Sequence, residues 1–151
     1  MATMKTHRLQ ITQTFDASCE EVFQAWLNPE AMRHFMAPSD AFDIPEVQVD
    51  PRVGGQYRIV MISPDRRTLI GFGTYVEIVP NKKIVCTWNW EKGEAWADIG
   101  ETILTLEFRE KGSATELTLT HKDFPAADMK DGHFAGWNGT LSRFRKLIEK
   151  H

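Results

Sequence analysis

Two alternating runs near the end of the chain, Thr102 to Arg109 and Thr115 to His121, lead into a break rich in Pro, Asp and Gly. After it comes one long amphipathic segment, Asp131 to Lys150, with Gly136-Trp137 near its start. Period-two alternation marks strands with one buried face, and apolar residues at steps of three and four mark a helix with one buried stripe. A sheet that must be covered by a single terminal helix tends to enclose space. The arrangement therefore points to a binding cavity.

Upstream, Arg8 to Phe15 alternates as a first strand. Ser18-Cys19-Glu20-Glu21 has the spacing of a capping box, and Val22, Phe23 and Trp26 follow at helical spacing. Asn28-Pro29 restarts the chain as a second short helix carrying Ala31, Met32 and Phe35, and Pro38 ends it. The middle reads as strands over 44–49, 56–62, 69–79 and 84–90. Gly71 and Gly73 mark a bend or a close backbone approach in the third of these. About seven strands with short connections imply an antiparallel sheet and an α+β fold. The inward set is Tyr57, Ile59 and Met61; Val76 and Ile78; Cys86, Trp88 and Trp90; Leu104, Leu106 and Phe108; and Leu117, Leu119 and His121. On the last helix Phe134, Trp137, Leu141, Phe144 and Ile148 form the facing stripe, and Gly136 reads as the point of close approach to the sheet.

Composition limits the function classes. At 151 residues the chain is expected to be a single domain, residues 1–151, large enough to fold without disulfide or metal. A net charge of −3 gives no electrostatic reason to expect nucleic acid or an anionic membrane. Two cysteines, Cys19 and Cys86, make no disulfide framework, and no zinc-ligand spacing appears. The polar N-terminus lacks the apolar core of a signal peptide, and no apolar run approaches a bilayer span, so the expectation is a soluble, cytoplasmic protein without membrane insertion.

Four stretches carry a family resemblance: Ala17 to Trp26 leading to Asn28-Pro29-Glu30; Val53-Gly54-Gly55-Gln56-Tyr57; Gly73 to Pro80 running on to Val85-Cys86-Thr87-Trp88; and His121 followed by Phe124, His133 and Gly136-Trp137. In this order they resemble the START-like, or SRPBCC, superfamily, in the branch named for homologues of the activator of heat-shock protein 90 ATPase. The resemblance implies the helix-grip fold, a curved antiparallel sheet wrapped around a long C-terminal helix, with two short helices after the first strand.

Three functions are open on that scaffold. The first is binding of a small hydrophobic, aromatic or lipidic molecule between sheet and helix. Tyr57, Met61, Phe72, Trp88, Trp90, Leu106, His121, Phe134, Trp137 and Leu141 would line the site, and His121 would supply its polar contact. The same aromatics serve equally well as solid core. The second is a co-chaperone-like module that stimulates heat-shock protein 90, which requires a protein partner and predicts a solid interior. The third is a cyclase or hydrolase using His121, for which no Asp, Cys or Ser completes an acid/base or nucleophile constellation. No catalytic residue, metal ligand or cofactor is therefore assigned, and the expected state is monomer or homodimer. Trp96 would add to the aromatic lining. Asp98 and Glu101 beside its loop would either hold a cation or polar substrate at the pocket mouth or, as the reading favours, form a solvated strand edge; Arg58 and Glu107 would face solvent.

Overall fold

The computed structural model describes residues 7–91 and 99–149. Strand β1 (His7–Phe15) is followed by helices α1 (Cys19–Ala25) and α2 (Pro29–Phe35). Six strands come next: β2 (Asp43–Val49), β3 (Gln56–Ile62), β4 (Thr68–Val79), β5 (Lys83–Trp90), β6 (Thr102–Lys111) and β7 (Ala114–Phe124). Helix α3 (Ala127–Ile148) closes the chain. The strands form one antiparallel sheet in the order β1-β7-β6-β5-β4-β3-β2. This is the helix-grip arrangement expected from the sequence, with two short helices after strand 1 and the long helix last.

Local chemistry explains the short helices. Ser18 Oγ accepts the amide of Glu21 at 3.2 Å, and the Glu21 carboxylate accepts the Ser18 amide at 3.4 Å, completing the capping box. Asn28 caps α2 by accepting the amides of Glu30 and Ala31, with Pro29 at the first helical position. Replacing Ser18 by alanine leaves the Glu21 amide unpaired. We expect it to cost about 1 kcal/mol of unfolding free energy in urea titration, and no change would mean that the box contributes nothing.

Helix α3 begins earlier than the sequence pattern indicates, at Ala127 rather than Asp131. Its N-cap, Ala126, makes no side-chain capping bond, so no local signal marks the start. A second difference lies in β4. Its register with β5 shifts between Tyr75 and Glu77, which reverses the alternation. Tyr75, not Val76, turns inward, and Val76 is exposed.

The two halves of α3 meet the sheet differently. Leu141 and Phe144 in the C-terminal half are buried. Phe144 packs edge-on against Phe15 and Phe35, with ring centroids 5.1 and 4.9 Å away, and Trp26 closes the cluster at 5.4 Å. Gly132, Ala135 and Gly136 give the N-terminal half little side-chain volume on part of its surface, and Gly139 extends this just past the middle. The interior is therefore solid beneath one half of the helix and hollow beneath the other.

Candidate functional site

The hollow is a cavity of about 360 Å³. The sheet contributes Met61 from β3, Leu69 from β4, and Trp88 and Trp90 from β5. Helix α3 contributes Gly132, His133, Ala135, Gly136, Trp137 and Thr140. The α2–β2 connection borders it with Met36, Ala37, Pro38 and Phe42.

Two glycines on β4 make room for its aromatic wall. A Cβ at Gly71 would lie 2.8 Å from Cζ2 of Trp88, and one at Gly73 would lie 1.9 Å from the Thr87 carbonyl oxygen. Both glycines point inward, and the ring of Trp88 lies over Gly71. It meets Trp90 and Trp137 edge-on, with centroids 5.5 and 5.3 Å away.

Two indole–imidazole pairs fix this wall. Trp137 Nε1 donates to His121 Nδ1 at 3.0 Å, and His121 Nε2 lies 2.6 Å from Thr102 Oγ1. The Thr102 hydroxyl proton is used on the Trp88 carbonyl at 2.9 Å, so the oxygen accepts from His121. His121 is thereby the neutral tautomer protonated on Nε2. In the second pair Trp90 Nε1 donates to His133 Nε2 at 2.9 Å, and His133 Nδ1 donates to the Met129 carbonyl at 2.9 Å. His133 is the opposite neutral tautomer. Burial holds both imidazoles below the ordinary histidine range. His133 adds to the effect on His121, and the Met129 carbonyl partly offsets it on His133. The Trp26 and Trp88 indole N–H groups are buried with no partner among the described residues.

The ten sequence-selected residues divide by location. Met61, Trp88, Trp90 and Trp137 line the cavity. Tyr57 and Leu106 surround a much smaller void of about 20 Å³ that Trp88 also borders. Tyr57 donates to the Thr87 carbonyl, and burial raises its phenol well above the usual range. The neighbouring Cys86 thiol is pushed up to about 12 by burial, which leaves it unreactive at neutral pH. Leu141 is packed in the solid half, and His121 sits one side chain behind the wall, bonded to Trp137.

Phe72 and Phe134 lie elsewhere. Phe72 pairs across the sheet with Arg58 and Asn89 on the outer face and is 39% exposed, because Gly71 and Gly73 hold the inward positions on its strand. Phe134 is 45% exposed, since the buried stripe of α3 runs back from Trp137 by four residues to His133, not by three. Arg58 faces outward between Glu46 and Glu91, at 2.9 and 3.6 Å, and Glu107 is exposed. Glu101 borders a groove on the outer face, with Phe72, and does not border the cavity. Trp96 and Asp98 lie outside the described residues. No group of three or more potential metal ligands occurs among the described residues.

Sequence reasoning missed Leu69, Thr140 and the whole 36–42 contribution. The connection carries no periodicity, and its only signal was the apolar run Met36-Ala37-Pro38 beyond α2. Gly136 also differs from expectation. A Cβ there would meet nothing nearer than Pro38 Cγ at 4.0 Å, whereas at Gly139 it would lie 1.9 Å from the Pro38 carbonyl oxygen. The close approach belongs to Gly139, and it is made to the loop.

Residues 16–149 match the family model described as activator of Hsp90 ATPase homolog 1-like protein. The chain belongs to this family. Solved structures of similar shape include a Chromobacterium violaceum protein (TM-score 0.85, 23% identity, covering 95% of this chain and 98% of that one). A Rhizobium leguminosarum protein matches with TM-score 0.82 and 24% identity over 97% of each chain. The AHSA1-like protein of Aeromonas hydrophila matches with TM-score 0.77 and 20% identity, over 95% of this chain and 92% of that one. At these identities the likeness shows a shared fold. No curated protein sequence matches the chain significantly. Among the described residues, no helix of this AHSA1-like chain is long and apolar enough to cross a membrane.

Proposed function

We propose that this AHSA1-like chain binds a small, uncharged, hydrophobic molecule in the cavity between the sheet and the N-terminal half of α3. The observation that carries the reading is the cavity itself: about 360 Å³ walled by Met36, Met61, Leu69, Trp88, Trp90 and Trp137. That volume falls at the lower end of the range for small-molecule sites, roughly 300–1,000 Å³. It favours a compact ring system over a long acyl chain. The Trp90 and Trp137 N–H groups are already used on histidines, and the Thr140 hydroxyl donates to the Ala37 carbonyl at 3.1 Å. Among the described residues, no Lys, Arg, Asp or Glu lines the cavity, so these walls offer a charged ligand no compensation for desolvation. His121 is shielded by Trp137, which removes the polar contact first expected of it; His133 stands at the wall instead.

The neutral fluorophore N-phenylnaphthylamine tests the reading. It is expected to bind with enhanced emission. Gly136→Phe should weaken binding by at least about tenfold, or 1.4 kcal/mol, because a side chain there has open space to fill. Thermal stability should not fall, since leaving glycine favours the helix. Trp88→Leu should also weaken binding. Affinity unchanged in folded Gly136→Phe protein would place the probe elsewhere. The co-chaperone reading rests on the family description, and an interior of this kind is not what a protein-contact module requires. Stimulation of a purified heat-shock protein 90 ATPase by this chain would favour it.

A further inference from the structure

Among the described residues, the only wall of the cavity built from neither helix nor strand is the 36–42 segment. It turns its outer residues, 38–41, to solvent and places the half-buried Phe42 against the cavity. Three of its backbone donors are satisfied locally. The Ala37 amide bonds to the Phe35 carbonyl at 2.8 Å, the Phe42 amide to the Ser39 carbonyl at 3.2 Å, and the Ala41 amide to Ser39 Oγ at 3.3 Å. Outward movement of 39–42 therefore breaks none of these bonds.

Three side chains of α3 tie the segment down. Thr140 Oγ1 donates to the Ala37 carbonyl next to α2, and this bond is buried. At the far end, Asp40 meets Arg143 Nε at 3.1 Å and Lys146 Nζ at 3.5 Å. The Asp40 side chain is 72% exposed, and beside this ion pair lies a cleft of about 270 Å³ bordered by His34, Asp40, Arg143, Lys146 and Leu147. One end of the segment is thus held by a buried bond and the other by an ion-pair cluster in which Asp40 and Lys146 are exposed and Arg143 is only 15% exposed, so salt reaches it from the Asp40 side.

We infer that residues 39–42 are the door of the cavity, hinged where Pro38 packs on Gly139 beside the Thr140–Ala37 bond and latched by Asp40 to Arg143 and Lys146, with Phe42 swinging out of the cavity when the latch parts. The inference deepens the binding reading above, but access to the cavity can be measured with no ligand at all.

The test is carried out on full-length protein with Cys19→Ser and Met61→Cys, which puts a thiol on the cavity wall facing the sheet side. Its reaction with uncharged dithiodipyridine is timed, and the buried Cys86 thiol reports global unfolding in the same sample. Adding Asp40→Asn is expected to speed labelling at position 61 roughly two- to fivefold, within the range for loss of exposed ion pairs. Cys86 labelling should not change. Sodium chloride at about 1 M should speed the Asp40 protein similarly and leave Asp40→Asn almost unaffected, because the Debye length there is only about 3 Å. Equal labelling rates in the two backgrounds overturn the inference. If Met61→Cys does not fold, stopped-flow uptake of N-phenylnaphthylamine by Asp40→Asn protein decides. Association and dissociation should both quicken with the affinity nearly constant, and unaltered rates overturn the door. Protein that labels in an Asp40-dependent way yet takes up no probe keeps the door and sinks the binding reading.

Discussion

Gly73→Ala is expected to destabilise the protein by about 3 kcal/mol or more, enough to remove most soluble, folded material at 37 °C. The cause is steric and not conformational, since the backbone at Gly73 does not adopt positive φ. A methyl group there would lie 1.9 Å from the carbonyl oxygen of Thr87, 2.7 Å from its carbonyl carbon and 2.8 Å from the Tyr57 hydroxyl. Two of these atoms are backbone, so no side-chain rotation relieves the overlap. Strand β4 would have to leave β5 near the middle of the sheet. That would disturb the Thr74 amide bond to Thr87 Oγ1, at 2.9 Å, and the bond from Tyr57 to the Thr87 carbonyl. Gly136→Ala is the matched control: its new methyl would meet nothing nearer than 4.0 Å, and it should gain up to about 1 kcal/mol from helix propensity. Chemical denaturation of the two variants measures the contrast. Wild-type stability in Gly73→Ala protein would mean that the strands do not approach as closely as described.

The same glycines show what could be read from residues alone. Glycine within an alternating strand signals close approach, and both Gly71 and Gly73 are such points. The succession of strands along the chain, the capping box and the terminal helix are legible because each depends on periodicity or on a local hydrogen bond. The failures share a different cause. Phe72 shares the phase of Val76 and Ile78, which the pattern places inward, whereas in the structure Gly71, Gly73 and Tyr75 take the inward positions. Val76 was misplaced because a register shift leaves no compositional mark. Phe134 and His133 are both compatible with a stripe through Trp137, one three residues away and the other four, and apolarity favoured the wrong one. It is the histidine that turns inward, because a tryptophan N–H awaits it there.

The position of the cavity follows from side-chain volume. Helix α3 carries Leu141 and Phe144 where the interior is solid and Gly132, Ala135 and Gly136 where it is hollow. Glycines at 132, 136 and 139 each lower intrinsic helix stability by roughly 1 kcal/mol. That half of the helix is therefore held by its contacts, chiefly the indole–imidazole pair through Trp137 and the loop packed on Gly139. The hollow end of the molecule depends on polar bonds as much as on apolar packing.

His121→Ala should show that dependence most directly, with a loss of about 3 kcal/mol or more at pH 8. His121 has no measurable exposure and accepts the Trp137 N–H while donating to Thr102. Removing the ring leaves a void and strands a buried donor and a buried acceptor. The loss should shrink as pH falls. Burial first, and His133 second, hold the folded-state pKa of His121 well below its ordinary value, while the unfolded chain takes up the proton near pH 6.5. Below that pH the unfolded state binds more protons than the folded state, so wild-type stability declines at about 1.4 kcal/mol per pH unit for each such histidine until the folded pKa is reached. Above about pH 6.5 this contribution is complete and flat. The variant lacks the His121 share and keeps that of His133, so the gap between the two proteins must narrow from pH 8 to pH 5. Urea denaturation across that range measures it. A gap that is constant with pH, or that widens on acidification, would show that His121 is not held neutral in the fold and that the hydrogen-bond order from Trp137 through His121 to Thr102 is wrong.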